Sequence, residues 1–261
     1  MKGKRILYIV LCIAVLAVTY VETTQAEFYV IPVVRQSAPT TTPCANDGYE
    51  VLSDAGRCWM AFNLGATQVA TSIDDEAAFG DLYQWGRARD GHQRRNLDPI
   101  TEISSTKSET DDPGHGYFIS KLGVNDWRTP KNDFLWQGIS GINNPCPQGF
   151  RLPTAYEWCA ELSKYSATGT PDCSASPDFS LMIFNDLTPS DLFNSPLKLV
   201  SAGNRQNHTA NIDFTSGSFY WSSTIGTGED NGVSLGFGNP DFVGLGIISR
   251  SDGASVRCIK N

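Results

Sequence analysis

The cysteines are the residues whose type and number point most directly to chemistry. Of the seven in the chain, Cys12 lies in an apolar N-terminal run and six follow it. An even number in an exported protein predicts three disulfides, and six cysteines allow 15 pairings, so the pairing stays open here. Zinc is the weaker interpretation, because the sequence has no CxxC pair. The six are Cys44, Cys58, Cys146, Cys159, Cys173 and Cys258.

The histidines and carboxylates do not form a recognisable catalytic motif in the sequence. His92, His115 and His208 are far apart in the sequence, and none adjoins a nucleophile motif such as GxSxG. We expect them in surface loops. Pairs of carboxylates, as used in glycoside hydrolysis, are always present in an acidic chain and carry no information. We therefore expect a protein that is not an enzyme.

The N-terminus has the layout of a secretory signal peptide. Lys2, Lys4 and Arg5 precede an apolar run over residues 6–21, and small side chains at Thr24 and Ala26 provide a cleavage site. A retained anchor is the alternative, but the run is short of the roughly 20 residues that span a bilayer. We predict residues 1–26 to be cleaved, a secreted or cell-surface location, and no membrane span afterwards.

The charge of the remaining chain limits its partners. Removal of residues 1–26 takes away three of the 20 basic and one of the 28 acidic side chains, which leaves a net charge of about −10. Nucleic acids and anionic membranes attract clustered Lys and Arg. An acidic chain disfavours both partners.

Residues 27–43 combine an apolar patch with a linker. The patch runs from Phe28 to Ile31, and the Ser/Thr/Pro composition of residues 37–43 is typical of an extended, solvated linker. The patch is either an edge strand or an attachment segment. We place the globular domain at residues 44–261.

The domain pattern changes from helix to strand along the chain. Thr154 and Glu157 form a capping box, followed by Trp158, Leu162 and Tyr165 on one helix face. A second, weaker helix is predicted over residues 75–85, and residues 89–133 form a long polar connection. Apolar residues then alternate with Gly and Ser at 233–237, 243–247 and 256–258, which predicts an antiparallel meander half buried on one face. The fold class is therefore α+β.

Five motifs occur in order over residues 48–260. They are CWMAFNLGA at 58–66, GDLYQWGR at 80–87, NPCPQGFRLPT at 144–154 with Glu157 and Trp158, YWSST at 220–224, and SVRC at 255–258. With these motifs the chain resembles the Fibrobacter succinogenes major paralogous domain family of exported bacterial proteins, whose fold is related to C-type-lectin-like domains and to formylglycine-generating enzymes. The resemblance implies a C-type-lectin-like α+β domain with antiparallel strands, one or two helices and long loops.

The resemblance also bears on the cysteines. It implies a Cys146–Cys258 bridge, which leaves Cys44–Cys58 and Cys159–Cys173 as short local loops. Formylglycine-generating enzymes use a pair of reactive C-terminal cysteines, whereas Cys258 alone lies near this C-terminus. A reactive cysteine lacks a disulfide partner, so an oxidoreductase of that type is the weakest alternative.

Lectin-like folds often bind sugars through calcium, which requires several oxygen ligands. Asp230, Asn239 and Asp241 provide such groups beside the strand at 233–237, although the lectin sugar motifs are absent. They are the candidate calcium ligands, and no other cofactor is expected. Among the tryptophans, those inside the motifs are expected in the core, while Trp127 and Trp136 are the candidates for an exposed binding surface.

Three hypotheses for function follow. The first is a non-enzymatic extracytoplasmic binding or adhesion module that recognises a glycan or a protein. The second is a structural subunit of a bacterial surface layer, appendage or filament, with residues 28–33 as the attachment element. The third is an oxidoreductase related to formylglycine-generating enzymes.

Overall fold

The computed structural model describes residues 44–45, 47–98, 101–167, 173, 179, 181–228, 230–238 and 242–261. These residues all belong to one unit that spans 41–261. The proposed signal peptide and the segment at 27–43 lie outside the described residues. Within the described ranges, no helix is long and apolar enough to cross a membrane.

Short strands form most of the regular structure. The described ranges contain fourteen strands, two α-helices and one 3-10 helix at Glu76–Ala78. The α-helices are α1 (Ala155–Tyr165) and α2 (Pro189–Asn194). The strands are β1 (Glu50–Leu52), β2 (Cys58–Met60), β3 (Tyr83–Gln84), β4 (Ile103–Ser104), β5 (Phe118–Ile119), β6 (Phe150–Arg151), β7 (Leu181–Ile183), β8 (Asn204–Arg205), β9 (Ile212–Asp213), β10 (Ser218–Ile225), β11 (Asn231–Gly238), β12 (Phe242–Ser249), β13 (Gly253–Ala254) and β14 (Ile259–Lys260).

The strands form three four-stranded sheets and one strand pair. The sheet orders are β1-β2-β14-β6, β10-β11-β12-β7 and β3-β13-β8-β9, and β4 pairs with β5. The β4–β5 pair is parallel, whereas the strand pairs of the three sheets are antiparallel. The fold is therefore α+β with mostly antiparallel strands and two helices.

Helix α1 begins at the predicted capping box. The Thr154 hydroxyl accepts a hydrogen bond from the amide of Glu157 at 3.2 Å, and the Glu157 carboxylate accepts from the amide of Thr154 at 2.9 Å. Arg151 holds the same carboxylate through two N–H groups, at 2.7 and 2.8 Å. These contacts satisfy amides that have no partner inside the helix. Trp158 and Leu162 then bury one face of α1 in the core.

The long strands β11 and β12 confirm the alternating pattern near the C-terminus. Val233, Leu235 and Phe237 lie opposite Ile247, Leu245 and Val243, and the first three are buried in the same core cluster as α1. The expectation that the sheet is half buried is wrong for β11, since Ser234 and Gly236 on its other face are also buried. On that second face, the aromatic rings of Trp85 and Trp221 lie against Gly232.

Two sequence expectations are corrected by the structure. Residues 75–85 form only the short helix Glu76–Ala78 and then strand β3, because the chain turns at Gly80, where a Cβ would lie 2.6 Å from the Leu64 carbonyl. Residues 256–258 are not a strand. Their carbonyls at Val256 and Cys258 accept from the amides of Leu64 and Met60, and the last strand begins one residue later.

The three disulfides have the pairing that the resemblance implies. Cys44 is bonded to Cys58, Cys146 to Cys258 and Cys159 to Cys173. The second bridge joins residues 112 apart and connects the loop before β6 to the chain before β14. The short bridges each join residues 14 apart. Disulfides of this kind are typical of proteins from oxidising compartments.

Candidate functional site

The two tryptophans expected on the surface are buried. Trp127 is 1% exposed and Trp136 is fully buried. The indole N–H of Trp127 donates to the Trp85 carbonyl at 2.7 Å, and that of Trp136 donates to the Asn143 carbonyl at 3.0 Å. The expectation of exposure is therefore wrong, because both rings are packed inside the fold, where backbone carbonyls accept from their N–H groups. Neither ring is available to stack on a ligand.

The loop that holds Trp136 exposes other apolar side chains instead. Phe134 is 77% exposed and Ile142 is 72% exposed. The loop between them closes where the Asn143 amide donates to the Leu135 carbonyl at 3.0 Å. These exposed side chains form an apolar loop tip.

The candidate calcium ligands are only partly within the described residues. Asn239 and Asp241 lie outside them, and Asp230 has its backbone carbonyl bonded to the amide of Arg250 at 3.0 Å. Among the described residues, the one group of closely spaced potential metal ligands is Cys44, Glu50 and Cys58. Its two sulfurs form a disulfide, and the Glu50 carboxylate accepts from Lys260 at 2.8 and 2.9 Å. These three residues are therefore better explained as a disulfide and an ion pair than as a metal site.

His92 pairs with a carboxylate but has no free basic nitrogen. It is fully buried, which corrects the expectation of a surface loop. Its Nδ1 lies 2.5 Å from Asp90, and its Nε2 accepts from the backbone amide of Gln84 at 3.0 Å, so Nδ1 carries the proton. Burial, followed by the nearby Arg87 charge, lowers the pKa of His92 to about 3. His92 and Asp90 therefore have the residue types of a catalytic dyad, but the buried histidine has no free nitrogen to accept a proton.

Polar residues of three sequence motifs meet in a buried network. The guanidinium of Arg257 donates to the side-chain oxygen of Asn63 and to the carbonyls of Met60 and Leu197. The Asn63 amide donates to the Tyr220 hydroxyl at 3.0 Å. All these polar side chains are buried, and they use their hydrogen-bonding capacity on one another and on the backbone. These residues of the motifs therefore stabilise the fold.

Gln84, in another motif, also forms buried hydrogen bonds that connect distant parts of the chain. Its side-chain amide donates to the carbonyls of Ile119 and Ser251 at 2.8 and 2.7 Å. Its side-chain oxygen accepts from Arg87 at 2.8 Å. This side chain connects β3, β5 and the chain before β13, so it positions elements rather than a ligand.

An open groove lies on the sheet β10-β11-β12-β7, on the face opposite α1. Its volume is about 160 Å³. Residues at alternate positions of β11 and β12 form its floor, where Gly236 lies opposite Gly244 and Ser234 lies opposite Gly246. We call it the glycine groove. It is lined by Leu181, Phe219, Ser234, Gly236, Phe242, Gly244, Gly246, Ile247 and Ile248.

Close packing explains why the floor consists of glycine. A Cβ at Gly236 would lie 3.0 Å from the ring of Phe219, and one at Gly244 would lie 2.5 Å from the Met182 carbonyl. The absence of side chains lets the Phe219 and Phe242 rings lie against the sheet at Gly236. Glycines at alternate positions of two neighbouring strands are the sequence signal for this groove, and the pattern of polar residues does not indicate it.

The chemistry of the glycine groove is apolar. Among the described residues that line it, Ser234 provides the only side-chain hydroxyl and none is charged. Sugar sites need amides or carboxylates beside the aromatic rings, whereas apolar side chains need only a dry surface of matching shape. The groove therefore suits an apolar side chain better than a sugar.

Strand β7 forms the outer wall of the groove and the edge of its sheet. It pairs with β12, and no other described strand pairs with it. Leu181 is 65% exposed and Ile183 is 41% exposed. An exposed edge with apolar side chains is a surface to which an extended segment can add.

Comparison of the chain with protein-family models, curated proteins and solved structures gives no match. The resemblance to the Fibrobacter succinogenes major paralogous domain family therefore depends on the sequence motifs alone.

Proposed function

We propose that this protein is a non-enzymatic, extracytoplasmic binding module, which holds an apolar segment of a protein ligand in the glycine groove. The observation that carries the proposal is the groove itself, with glycine floor, aromatic walls and the exposed edge strand β7. Burial of apolar surface contributes about 25 cal/mol per Å², and edge pairing adds backbone hydrogen bonds. The proposed C-type-lectin-like architecture and the proposed signal peptide agree with such a role outside the cytoplasm.

Three observations support binding over catalysis. Cys258 is buried and bonded to Cys146, so no thiolate is available there. The Nε2 of His92 is occupied by a backbone amide. The buried polar residues of the motifs have internal partners. An oxidoreductase of the formylglycine-generating type would need a free cysteine, so titration of the unreduced protein with a thiol reagent should find none.

Binding of a glycan is the alternative within the same proposal, and calcium would serve there as cofactor. The apolar lining of the groove favours a protein segment. A glycan site, if present, would lie elsewhere on the long loops. The two ligand classes differ in their response to a chelator and to changes in the groove.

The experiment compares both ligand classes on the exported protein. A glycan array, read with calcium and with EDTA, and an array of extended apolar heptapeptides are probed with the native chain, with Leu181→Glu and with the control Leu122→Glu. Leu122 is 82% exposed and does not line the groove. We expect peptide binding that EDTA leaves unchanged and that Leu181→Glu weakens at least about tenfold, because a carboxylate in the groove must be desolvated. Calcium-dependent glycan binding that Leu181→Glu leaves intact would overturn the proposal.

A further inference from the structure

We propose that the apolar loop tip inserts into the interface of a bilayer of zwitterionic phospholipids and so holds the domain at a membrane surface. The tip presents the side chains of Phe134 and Ile142, and Ile139 between them is 43% exposed. None of these residues lines the glycine groove, so this membrane contact goes beyond the proposed function and is independent of it.

The tip belongs to a stretch of the chain without charge. Residues 134–150 contain no Asp, Glu, Lys, Arg or His, whereas 18% of the whole chain is Asp, Glu, Lys or Arg. A charged side chain at the tip would have to lose its hydration on entering lipid, at a large cost in free energy. Exposed apolar side chains that lie together on a folded domain mark a surface that contacts a protein or a membrane.

The backbone of the tip favours the membrane, because it is satisfied without an outside donor. Five carbonyls of residues 134–141 accept hydrogen bonds from N–H groups of residues 137–144, at 3.0 to 3.5 Å. A carbonyl that faces water or a protein partner can find a donor there, whereas hydrocarbon provides none. The tip can therefore leave water without losing these hydrogen bonds. The five carbonyls are those of Phe134, Leu135, Gly138, Ile139 and Gly141.

The base of the tip is fixed to the rest of the domain. The side-chain amide of Gln137 donates to the Ser223 carbonyl at 2.8 Å, and that of Asn143 donates to the Gly86 carbonyl at 2.8 Å. Trp136 between them is fully buried. Because the base is anchored, the apolar side chains stay at the surface without a partner, and insertion requires little further ordering of the loop.

The polar residues beside the tip favour a zwitterionic lipid over an anionic one. Asp111 pairs with Arg128 at 2.7 Å, and it accepts from the side-chain amide of Asn132 at 3.0 Å. This region therefore has both signs of charge, which complement the phosphate and the ammonium of a zwitterionic headgroup. Anionic lipids attract clusters of Lys and Arg, whereas this chain is acidic overall. The exposed charged residues of the same two loops are Glu109, Asp112 and Lys131.

Cosedimentation with vesicles tests the inference on the exported protein. The native chain, the double variant Phe134→Ser, Ile142→Ser and the control Leu122→Ser are mixed with vesicles of phosphatidylcholine and with vesicles that also contain phosphatidylserine. Leu122 is 82% exposed and lies outside the tip. We expect the native chain and the control to bind phosphatidylcholine, and the double variant to bind at least about tenfold more weakly, because two apolar side chains no longer enter the bilayer. Phosphatidylserine should not strengthen binding, and high salt should not release the protein.

The outcomes distinguish the membrane from other partners. No binding of the native chain to phosphatidylcholine, or binding that the double variant retains in full, would overturn the inference. Binding that requires phosphatidylserine would also overturn it. Sedimentation velocity is run on the same three chains without lipid. If the native chain dimerises there and the double variant does not, while no chain binds vesicles, the tip contacts a second copy and the inference is wrong.

A second measurement keeps the apolar side chains of the tip in place. The environment-sensitive dye NBD is attached at Ser140→Cys, an exposed position in the tip, and at Leu122→Cys as the control. We expect phosphatidylcholine vesicles to shift the emission of the tip label to shorter wavelength and to raise it at least about threefold, because the label leaves water with the tip. The control label should keep its emission. Equal responses at the two positions, or no response at Ser140→Cys, would contradict the inference.

Discussion

Arg257 donates two hydrogen bonds to the side-chain oxygen of Asn63, at 3.0 and 2.8 Å, across 194 residues of sequence. The guanidinium is almost completely buried, and its recorded hydrogen bonds go to neutral oxygens. Burial lowers the pKa of Arg257 to about 10, which still leaves the side chain charged at neutral pH. The polar core therefore depends on neutral amides and carbonyls to stabilise a buried cation.

The first prediction concerns this pair. Asn63→Ala removes the oxygen that accepts both bonds and leaves a buried cation short of acceptors, so we expect a loss of about 3 kcal/mol in the free energy of unfolding. Arg57→Ala is the control. Its exposed side chain forms an ion pair with Glu157, and surface pairs contribute about 1 kcal/mol or less. Urea unfolding followed by tryptophan fluorescence measures both, and equal losses would contradict the role of the buried network.

The second prediction concerns the floor of the groove. Gly244→Ala places a Cβ 2.5 Å from the Met182 carbonyl, so β7 must move away from β12. We expect faster hydrogen exchange of the Phe184 amide, which donates to the Val243 carbonyl at 2.9 Å. Gly149→Ala is the control, because nothing lies within 4 Å of its Cβ position although its φ is +87°. That variant should lose stability without selective exchange at Phe184; selective exchange in both would refute the local explanation.

The third prediction concerns acid stability. His92 is held neutral in the fold with its pKa lowered to about 3, whereas an unfolded histidine has a pKa of about 6.5. As the pH falls below about 6.5, the unfolded chain binds a proton that the folded chain does not. This contribution to stability is present above pH 6.5 and is lost as the pH falls towards 3. Between pH 7 and pH 5 the loss is about 2 kcal/mol.

The measurement is the urea midpoint at pH 7, 6 and 5 for the native chain and for His92→Gln. Burial raises the pKa of Asp126 and of Asp252 to about 6, and these two groups act in the opposite direction, so the prediction concerns the difference between the two chains. As the pH falls from 7 to 5, the midpoint of the native chain should decrease relative to that of His92→Gln. His208→Gln is the control, since His208 is exposed. A slope that His92→Gln leaves unchanged would assign the acid response to other groups.

The fourth prediction compares two disulfides. The Cys146–Cys258 bridge joins residues 112 apart, and the Cys44–Cys58 bridge joins residues 14 apart. Because the stabilisation in the chain-entropy model grows with loop length, removal of the long bridge should cost about 4.7 kcal/mol and removal of the short one about 3. Paired Cys→Ser variants in urea unfolding test the order. A larger loss from the short bridge would show that local geometry outweighs loop entropy.

Local signals in the sequence predicted local structure. The cap at Thr154 and the alternation at 233–247 each depend on neighbours within a few residues, and both occur in the structure. The helix predicted at 75–85 failed because a tertiary contact, the approach of Gly80 to the Leu64 backbone, outweighs helical spacing.

The sequence pattern could not predict which side chains are buried by distant segments. Trp127 and Trp136 are buried, and their N–H groups donate to the carbonyls of Trp85 and Arg87, which lie 42 and 49 residues away in the sequence. The glycine groove was missed for a related reason. Its floor forms only when the glycines of β11 align with those of β12, and the alignment is a property of the register.

The Cys44–Cys58 bridge has a mechanical consequence. Cys44 is the first described residue, and Cys58 is the first residue of β2, which lies between β1 and β14. Tension on the chain that precedes Cys44 passes through the sulfur–sulfur bond into β2 and leaves residues 45–57 unloaded. The backbone hydrogen bonds of β2 with both neighbouring strands then share the force, so β1 is not peeled away first. A domain tethered by its N-terminal segment would thus be held from the middle of a sheet.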